Sequence, residues 1–357
     1  MDLIGTRGYS SYHGRRSGGK IALVAVLLVV FLLAAGYLVL QDFIVYDSDG
    51  SVRLELPFFE SEEPSVGDGE LVDVPPVEIL PGDDDELVSG QPQTAAETIR
   101  GQLLSAPALC RAADTHLQEA RDAGNNSVVV PVKGDNGIFY YTSPLAKTKA
   151  TDDQAVSQTL LTTALSGGED LHFVARLSCF HDSFYAFSNM AGTGICQSNG
   201  YIWYDNQSSY WLDPSKSAAR EYLCAVAQEC VAMGFDELLL TEFTYPTQGK
   251  LSQIDYSAMT MTKEAALEAF LTELRATVGE EVAISVELPE TVILAGRDET
   301  AGLDVSRIVP LVDRVYVSAA ADKAAVLAAL EAAGAGAAES IVVWEENGNY
   351  ASAFLNG

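Results

Sequence analysis

One stretch narrows what this chain can fold into more than any other. Residues 211–246 (WLDPSKSAAREYLCAVAQECVAMGFDELLLTEFTYP) read as a loop, an amphipathic helix and a buried strand that ends in a glutamate. From Ala218 the apolar residues Tyr222, Leu223, Val226, Ala227, Cys230 and Val231 recur at three- and four-residue spacing, so one stripe of the helix faces a core. Asp213 and Ser215 suit the helix start, Pro214 suits its first turn, and Gly234 stops it. The run Leu238-Leu239-Leu240 has no polar side, which fits a parallel strand covered on both faces better than a half-exposed hairpin strand. Thr241, Glu242, Thr244 and Tyr245 follow at its C-terminal end, and in a barrel of parallel strands that is the end where chemistry is placed.

The same alternation extends over the whole C-terminal part. Strands are expected at 99–105, 127–133, 171–180, 282–288, 315–318 and 340–344, and helices at 107–123, 153–165, 262–278, 305–312 and 323–333. Alternation at this length implies a parallel sheet, and the count favours an α/β fold of the TIM-type (β/α) barrel over an open doubly wound sheet. Gly192-Thr193-Gly194 neither follows a strand nor supplies a third glycine at the spacing a dinucleotide fingerprint needs. With the central strand the count is seven. An eighth strand belongs inside 183–211 or after Val286; otherwise a βα unit has been lost between Ser318 and Ser340 and the barrel is incomplete.

The chain ahead of the barrel divides by composition. Residues 1–20 are polar and basic, and residues 21–40 (IALVAVLLVVFLLAAGYLVL) carry no charge over a length that crosses about 30 Å of hydrocarbon as a helix. Arg7, Arg15, Arg16 and Lys20 precede this run, while Asp42, Asp47 and Asp49 follow it. The positive-inside rule then predicts a single-pass plasma-membrane protein with a cytoplasmic N-terminus and everything after residue 41 outside. The run exceeds a signal-peptide core and no small-x-small cleavage site follows, so an uncleaved signal anchor is expected. Residues 41–93 are rich in Asp, Glu, Pro and Gly and read as an extended acidic linker, with a short strand possible in 51–59 (SVRLELPFF); the globular domain spans 94–357. A formal charge of −29 argues against a nucleic-acid partner, since phosphate binding needs a cationic surface. Of the five cysteines, Cys224 and Cys230 lie on one helix roughly 120° apart and cannot pair. Cys179 and Cys196 flank one loop, and either a disulfide or two free thiols fits the spacing.

Five segments resemble a family of bacterial TIM-barrel proteins classed as glycoside hydrolases and long catalogued as a domain of unknown function. They are Arg100-Gly101-Gln102-Leu103-Leu104 (family R-G-V-Y-V), residues 128–137 (VVVPVKGDNG; V-V-I-D-V-K-D-D-x-G) and residues 175–182 (ARLSCFHD; A-R-I-V-x-F-x-D). Trp211-Leu212-Asp213-Pro214 (W-L-D-P) and residues 234–246 (G-F-D-E-I-x-F-D-Y-[IV]-R-F-P) complete the set in the right order. The resemblance implies a barrel that acts on or binds cell-envelope or extracellular polysaccharide. The departures from the family pattern include positions where chemistry would be: Pro131 replaces the acid of the second strand, Thr241 the Asp of the F-D-Y run, and Thr244 its Arg. Glu242 sits one position beyond the lost Asp, and strand alternation sends neighbours to opposite faces, so it reaches the mouth only through a bulge or the strand's end.

Glycoside hydrolysis needs two carboxyl groups flanking the scissile bond. Glu242, Glu287 and Glu345, the last beside Glu346, sit at strand C-termini and are the catalytic candidates. Glu287 shares a strand face with Ser285 opposite Ile284, Val286 and Leu288. Arg176, a cation inside an apolar strand in phase with Ser178, is expected to pair with a barrel carboxylate or to bind substrate. The substrate-binding candidates are Arg176, Asp182, Trp203, Trp211, Asp213, Tyr245, Tyr316 and Trp344; the aromatic run from Tyr201 to Trp211 offers either sugar-stacking faces or a plug for the barrel end. His116, His172 and His181 lack metal-ligand spacing, and no Walker loop or nucleophile elbow occurs, so neither a metal nor a cofactor is expected. Two functions remain open: a membrane-tethered glycan hydrolase, or a catalytically inactive barrel that binds glycan or protein.

Overall fold

The structure is a computed structural model that describes residues 98–147, 155–318, 322–335, 340–345 and 348–352, together with the segments 44–46 and 52–54. The chain divides into two units between Leu87 and Val88. In the first, Val52–Leu54 pairs antiparallel with Ile44–Tyr46, so the alternating stretch at 51–59 contributes a short strand. The apolar run at 21–40 and its basic flank lie outside the described residues; among the described residues no helix is long and apolar enough to cross a membrane.

The second unit is a closed eight-stranded barrel. Its strands are β1 (Arg100–Leu103), β2 (Ser127–Gly134), β3 (His172–Ser178), β4 (Glu237–Thr241), β5 (Ala283–Glu287), β6 (Arg314–Ser318), β7 (Ile341–Trp344) and β8 (Asn349–Ser352). From β1 to β7 each neighbouring pair is parallel. The main covering helices are α1 (Ala113–Asp122), α2 (Gln158–Ser166), α3 (Ser217–Met233), α4 (Lys263–Val278) and α5 (Lys323–Ala332).

The eighth strand is where the sequence count fell short. It lies not in 183–211 but after Val286, at the far C-terminal end of the barrel, Asn349–Ser352. It follows closely on β7, with Gly348 N–H donating to the Glu345 carbonyl, and pairs antiparallel with both β7 and β1. A hairpin thus replaces the last βα unit and closes the barrel. Four residues without a following helix leave no periodic signal. The closure is nevertheless well packed: Tyr350 fills the barrel at Gly101, where an added Cβ would lie 2.3 Å from the Tyr350 hydroxyl oxygen and 2.2 Å from the Ser127 carbonyl.

Burial explains the apolar run of β4. Leu239 points into the barrel with Val129, Val174, Tyr316, Val342 and Tyr350, whereas Leu238 and Leu240 belong to the larger core beneath the helices. Each of the three leucines is fully buried, which at about 25 cal/mol per Å² stabilises the strand by roughly 2 kcal/mol per side chain. The barrel floor is polar instead. There Glu237 accepts from Arg314 (2.6 Å), Ser285 (2.6 Å) and Tyr316 (3.0 Å), and faces His172 at 2.7 Å.

Three local expectations change. The helix at 107–123 is two helices, Ala106–Arg111 and α1, broken at Ala112 (φ −152°, ψ 56°); Leu109 and Leu117, one on each piece, are both fully buried. Helix α3 begins after Lys216 without a side-chain cap. Asp213 acts one turn earlier, accepting from the backbone and hydroxyl of Ser215. All five cysteines are free, and Cys179 is sealed in the core at the end of β3, so the Cys179–Cys196 disulfide does not form. Gly234 closes α3 in the left-handed conformation as expected (φ 100°).

Candidate active site

The site is built around an exception to strand alternation. Thr241 faces the barrel interior, so residue 242 should point outward, as Leu238 and Leu240 do. Glu242 instead adopts a left-handed backbone conformation (φ 48°), which costs a non-glycine residue on the order of 1–3 kcal/mol. The kink turns Glu242 into the barrel mouth. It also hands the outward position to Phe243, which is 2% exposed and packs against Phe180 and Phe270 at ring separations of 6.1 Å each. Backbone bonds from Cys179 to the Thr241 carbonyl (2.8 Å) and from Phe180 to the Glu242 carbonyl (3.2 Å) hold the turn against the end of β3.

Glu242 sits between two lobes of one cleft. The larger, about 410 Å³, is lined by Arg176, Thr241, Glu287, Pro289 and Asp298 among others. The smaller, about 290 Å³, is lined by Asp135, His181, Asp205, Trp211 and Gln248 among others. Glu242, Thr244 and Thr247 belong to both. In the larger lobe the Arg176 guanidinium lies 3.3 Å from the Glu287 carboxylate. Burial pushes the Glu242 carboxyl up from its ordinary value, the negative charges of Asp135 and Glu287 push the same way, and Arg176 opposes them. In the smaller lobe burial lowers the pKa of His181, whose ring stacks on Trp211 at 4.5 Å.

Of the residues singled out from sequence, Glu242, Glu287, Arg176 and Trp211 come together here. Glu345 does not: it is exposed, in a separate groove beside Arg100 and Asn349, because it follows inward-facing Trp344 and so points out of the barrel. Its neighbour Glu346 lies outside the described residues. Asp182 is 1% exposed and withdrawn from the cleft; it pairs with buried Lys133 at 3.0 Å, accepts from the Tyr222 hydroxyl at 2.8 Å and caps the helix Ser183–Ser188. Trp203 is a plug and not a stacking surface, buried under Gly249 with its indole N–H on the Lys250 carbonyl. Asp213 and Tyr245 are buried, with Asp213 shaping the turn before α3 and Tyr245 lying beneath the Lys263 ammonium. Tyr316 is inside the barrel, donating to floor residue Glu237, and Trp344 packs edge-on against Tyr350 above it.

Sequence reasoning passed over Asp135, His181 and Asp205. Asp135 lies in the turn that directly follows β2, so it opens onto the C-terminal end of the barrel strands, beside the cleft. His181 was weighed only as a metal ligand. Asp205 had no local signal, because it reaches the cleft through a long excursion between β3 and α3.

The residues 105–319, well over half of the chain, match the family described as "Putative glycosyl hydrolase domain", and the chain belongs to that family. No curated protein matches it. Among solved structures, a hypothetical protein from Ruminiclostridium thermocellum is similar at 23% identity and a TM-score of 0.44, over 52% of this chain and 96% of that one. The chitobiase of Flavobacterium johnsoniae is similar at 11% identity and a TM-score of 0.45, over 70% of this chain and 38% of that one. A maltogenic alpha-amylase from Thermotoga neapolitana is similar at 10% identity and a TM-score of 0.40, over 60% of this chain and 48% of that one. The chain therefore spans less than half the length of the latter two.

Proposed function

We propose that the barrel hydrolyses glycosidic bonds in a cell-envelope or extracellular polysaccharide, with Glu242 as general acid and Glu287 as its partner carboxylate. The observation that carries this reading is the left-handed kink at Glu242. A strained backbone places an ionisable group in the mouth, half-buried, with its proton affinity raised by burial and by neighbouring carboxylates. Glu242 delivers its proton to the leaving oxygen as the glycosidic bond breaks, and positive charge develops on the sugar ring. Glu287 faces that charge as nucleophile or as base toward water, held in place by Arg176. Membership of the glycosyl hydrolase family supports the same reading.

Glu242→Gln keeps the volume and removes the transferable proton. Turnover of a polysaccharide released from the producing cell's envelope should fall by about 10²–10⁴-fold while binding is retained. Retained binding with no turnover in the parent protein would instead make the barrel a glycan-binding module. The anomeric configuration of the first product, read by NMR, tells which part Glu287 plays: retention for a nucleophile, inversion for a base.

The uncharged run at 21–40, with basic residues before it and acidic ones after, supports a single-pass anchor that holds the barrel outside the plasma membrane. External protease applied to intact cells should remove the barrel and spare an N-terminal tag; a protected barrel would refute this topology.

A further inference from the structure

The smaller lobe carries more negative charge than glycosidase chemistry asks for. Two carboxyls suffice for hydrolysis, and Glu242 and Glu287 supply them. Asp135 and Asp205 are additional, and they come from two separate segments, the turn after β2 and the excursion before α3. No lysine or arginine is among the residues lining this lobe, whereas across the cleft Glu287 is answered by Arg176. The nearby cation Lys133 is already committed, fully buried on Asp182 and the Ser178 carbonyl. Burial lowers the His181 pKa against the pull of Asp135 and Asp205, which makes its ring a poor source of counter-charge.

The lobe is also built to hold something. Asp205 is fixed by three donors: the backbone N–H groups of Gln207 (2.8 Å) and Ser209 (2.9 Å) on one oxygen, and the Trp211 indole N–H (3.0 Å) on the other. His181 is 7% exposed and pinned by stacking on Trp211, yet its Nε2 has no hydrogen-bond partner and lies 3.9 Å from that second Asp205 oxygen, too far for a bond. An oriented, buried and unsatisfied ring nitrogen in a cleft marks a place where a ligand's polar group completes the bonding. Among the described residues no three acidic, histidine or cysteine side chains converge as metal ligands do, so the negative charge is spread around the lobe and not focused on one ion.

A neutral sugar in this lobe would strip water from these carboxylates and give no charge in return. We infer that the smaller lobe selects a glycan unit bearing a free ammonium group, that is, a de-N-acetylated amino sugar, with Asp135 and Asp205 facing the cation and His181 Nε2 bonding a neighbouring hydroxyl. This rests on the glycan reading above and narrows it to a substrate class. The chain's overall charge of −29 draws such a ligand in from solution.

The test is calorimetric binding to the full chain in detergent. Matched tetramers of glucosamine, N-acetylglucosamine and glucose, and of galactosamine with its N-acetylated form, would be compared at low and high salt. The free-amine tetramer of one series should bind at least roughly tenfold tighter than its neutral counterparts, on the scale of one desolvated charge pair, and the preference should shrink with salt. Asp135→Asn should erase most of that preference, and Asp135→Glu should restore it; Asp135 is solvent-exposed, and unchanged melting of both variants excludes a folding defect. Neutral tetramers binding as tightly as free-amine ones, or an unchanged ratio in Asp135→Asn, would overturn the inference and leave the glycan reading standing. If no tetramer of either series binds, both fail.

Discussion

Strand β4 carries a glutamate near each end, and the two behave in opposite ways. Glu237 opens the strand on the barrel floor. Burial alone would raise its pKa, but bonding to His172 and the charge of Arg314 overcome burial and hold the carboxyl at about 2. Glu242 follows the strand's other end, where burial is joined by the like charges of Asp135 and Glu287, with Arg176 opposing, and the carboxyl is pushed up. The same side chain recurs five residues apart: the floor satisfies every lone pair of its carboxylate, and the mouth surrounds its carboxyl with burial and like charge. In this barrel one end holds the fold together, and the other carries the strained backbone and the carboxylates crowded into the cleft.

The largest effect should be Glu242→Gln at the mouth, costing about 10²–10⁴-fold in turnover. Its stability should move the other way. A carboxyl whose folded pKa is raised favours folding at low pH and loses that advantage as pH rises through the folded value. The Gln variant should therefore melt slightly above the parent at pH 7, with the gap closing near pH 4. A variant that melts lower at pH 7 would mean Glu242 is structural.

Glu237→Gln at the floor should come next, destabilising the barrel by about 3–5 kcal/mol in denaturant unfolding, because it strips the buried partner from Arg314. The pH dependence has the reverse sign here. A carboxyl held at about 2 against an ordinary 4.5 contributes roughly 3 kcal/mol at neutral pH. That contribution is complete above about pH 5 and fades as pH falls toward 2, so acid unfolding should be steeper in the parent than in the Gln variant.

Arg176→Met sharpens the contrast on a smaller scale. Its pair with Glu287 is about one-third exposed on both sides, so melting should change by less than about 1 kcal/mol. Removing its charge should still raise the Glu242 pKa and move the alkaline limb of the pH–rate profile upward, whereas an unmoved limb would detach Arg176 from the acid. Smallest of all, Glu345→Gln, outside the cleft, should leave turnover within about twofold and stability within about 0.5 kcal/mol. A large loss of turnover would relocate the site.

Periodicity alone determined a good deal. The spacing of apolar residues in α3 and α4, the glycine at position 234, and the unbroken leucines of β4 each report a local requirement of one helix or one strand, and such requirements are written in consecutive residues. From them the parallel α/β barrel, six of its strand–helix alternations and the end of the barrel that carries the cleft were legible. Tertiary structure decided the rest, because the deciding contacts join residues far apart in the chain. β8 exists because Tyr350 finds the space above Gly101, about 250 positions away, and four residues carry no pattern that announces this. Glu242 turns inward only because Phe243 has a pocket between Phe180 and Phe270 to fill. Asp135, His181 and Asp205 meet in one lobe because three loops open onto the same barrel mouth, whereas Trp203, whose chemistry promised a sugar platform, was drawn under Gly249 into the core. A sequence states what each segment prefers; which carboxylates share a cleft, and which of them are paired, is settled only when the barrel closes.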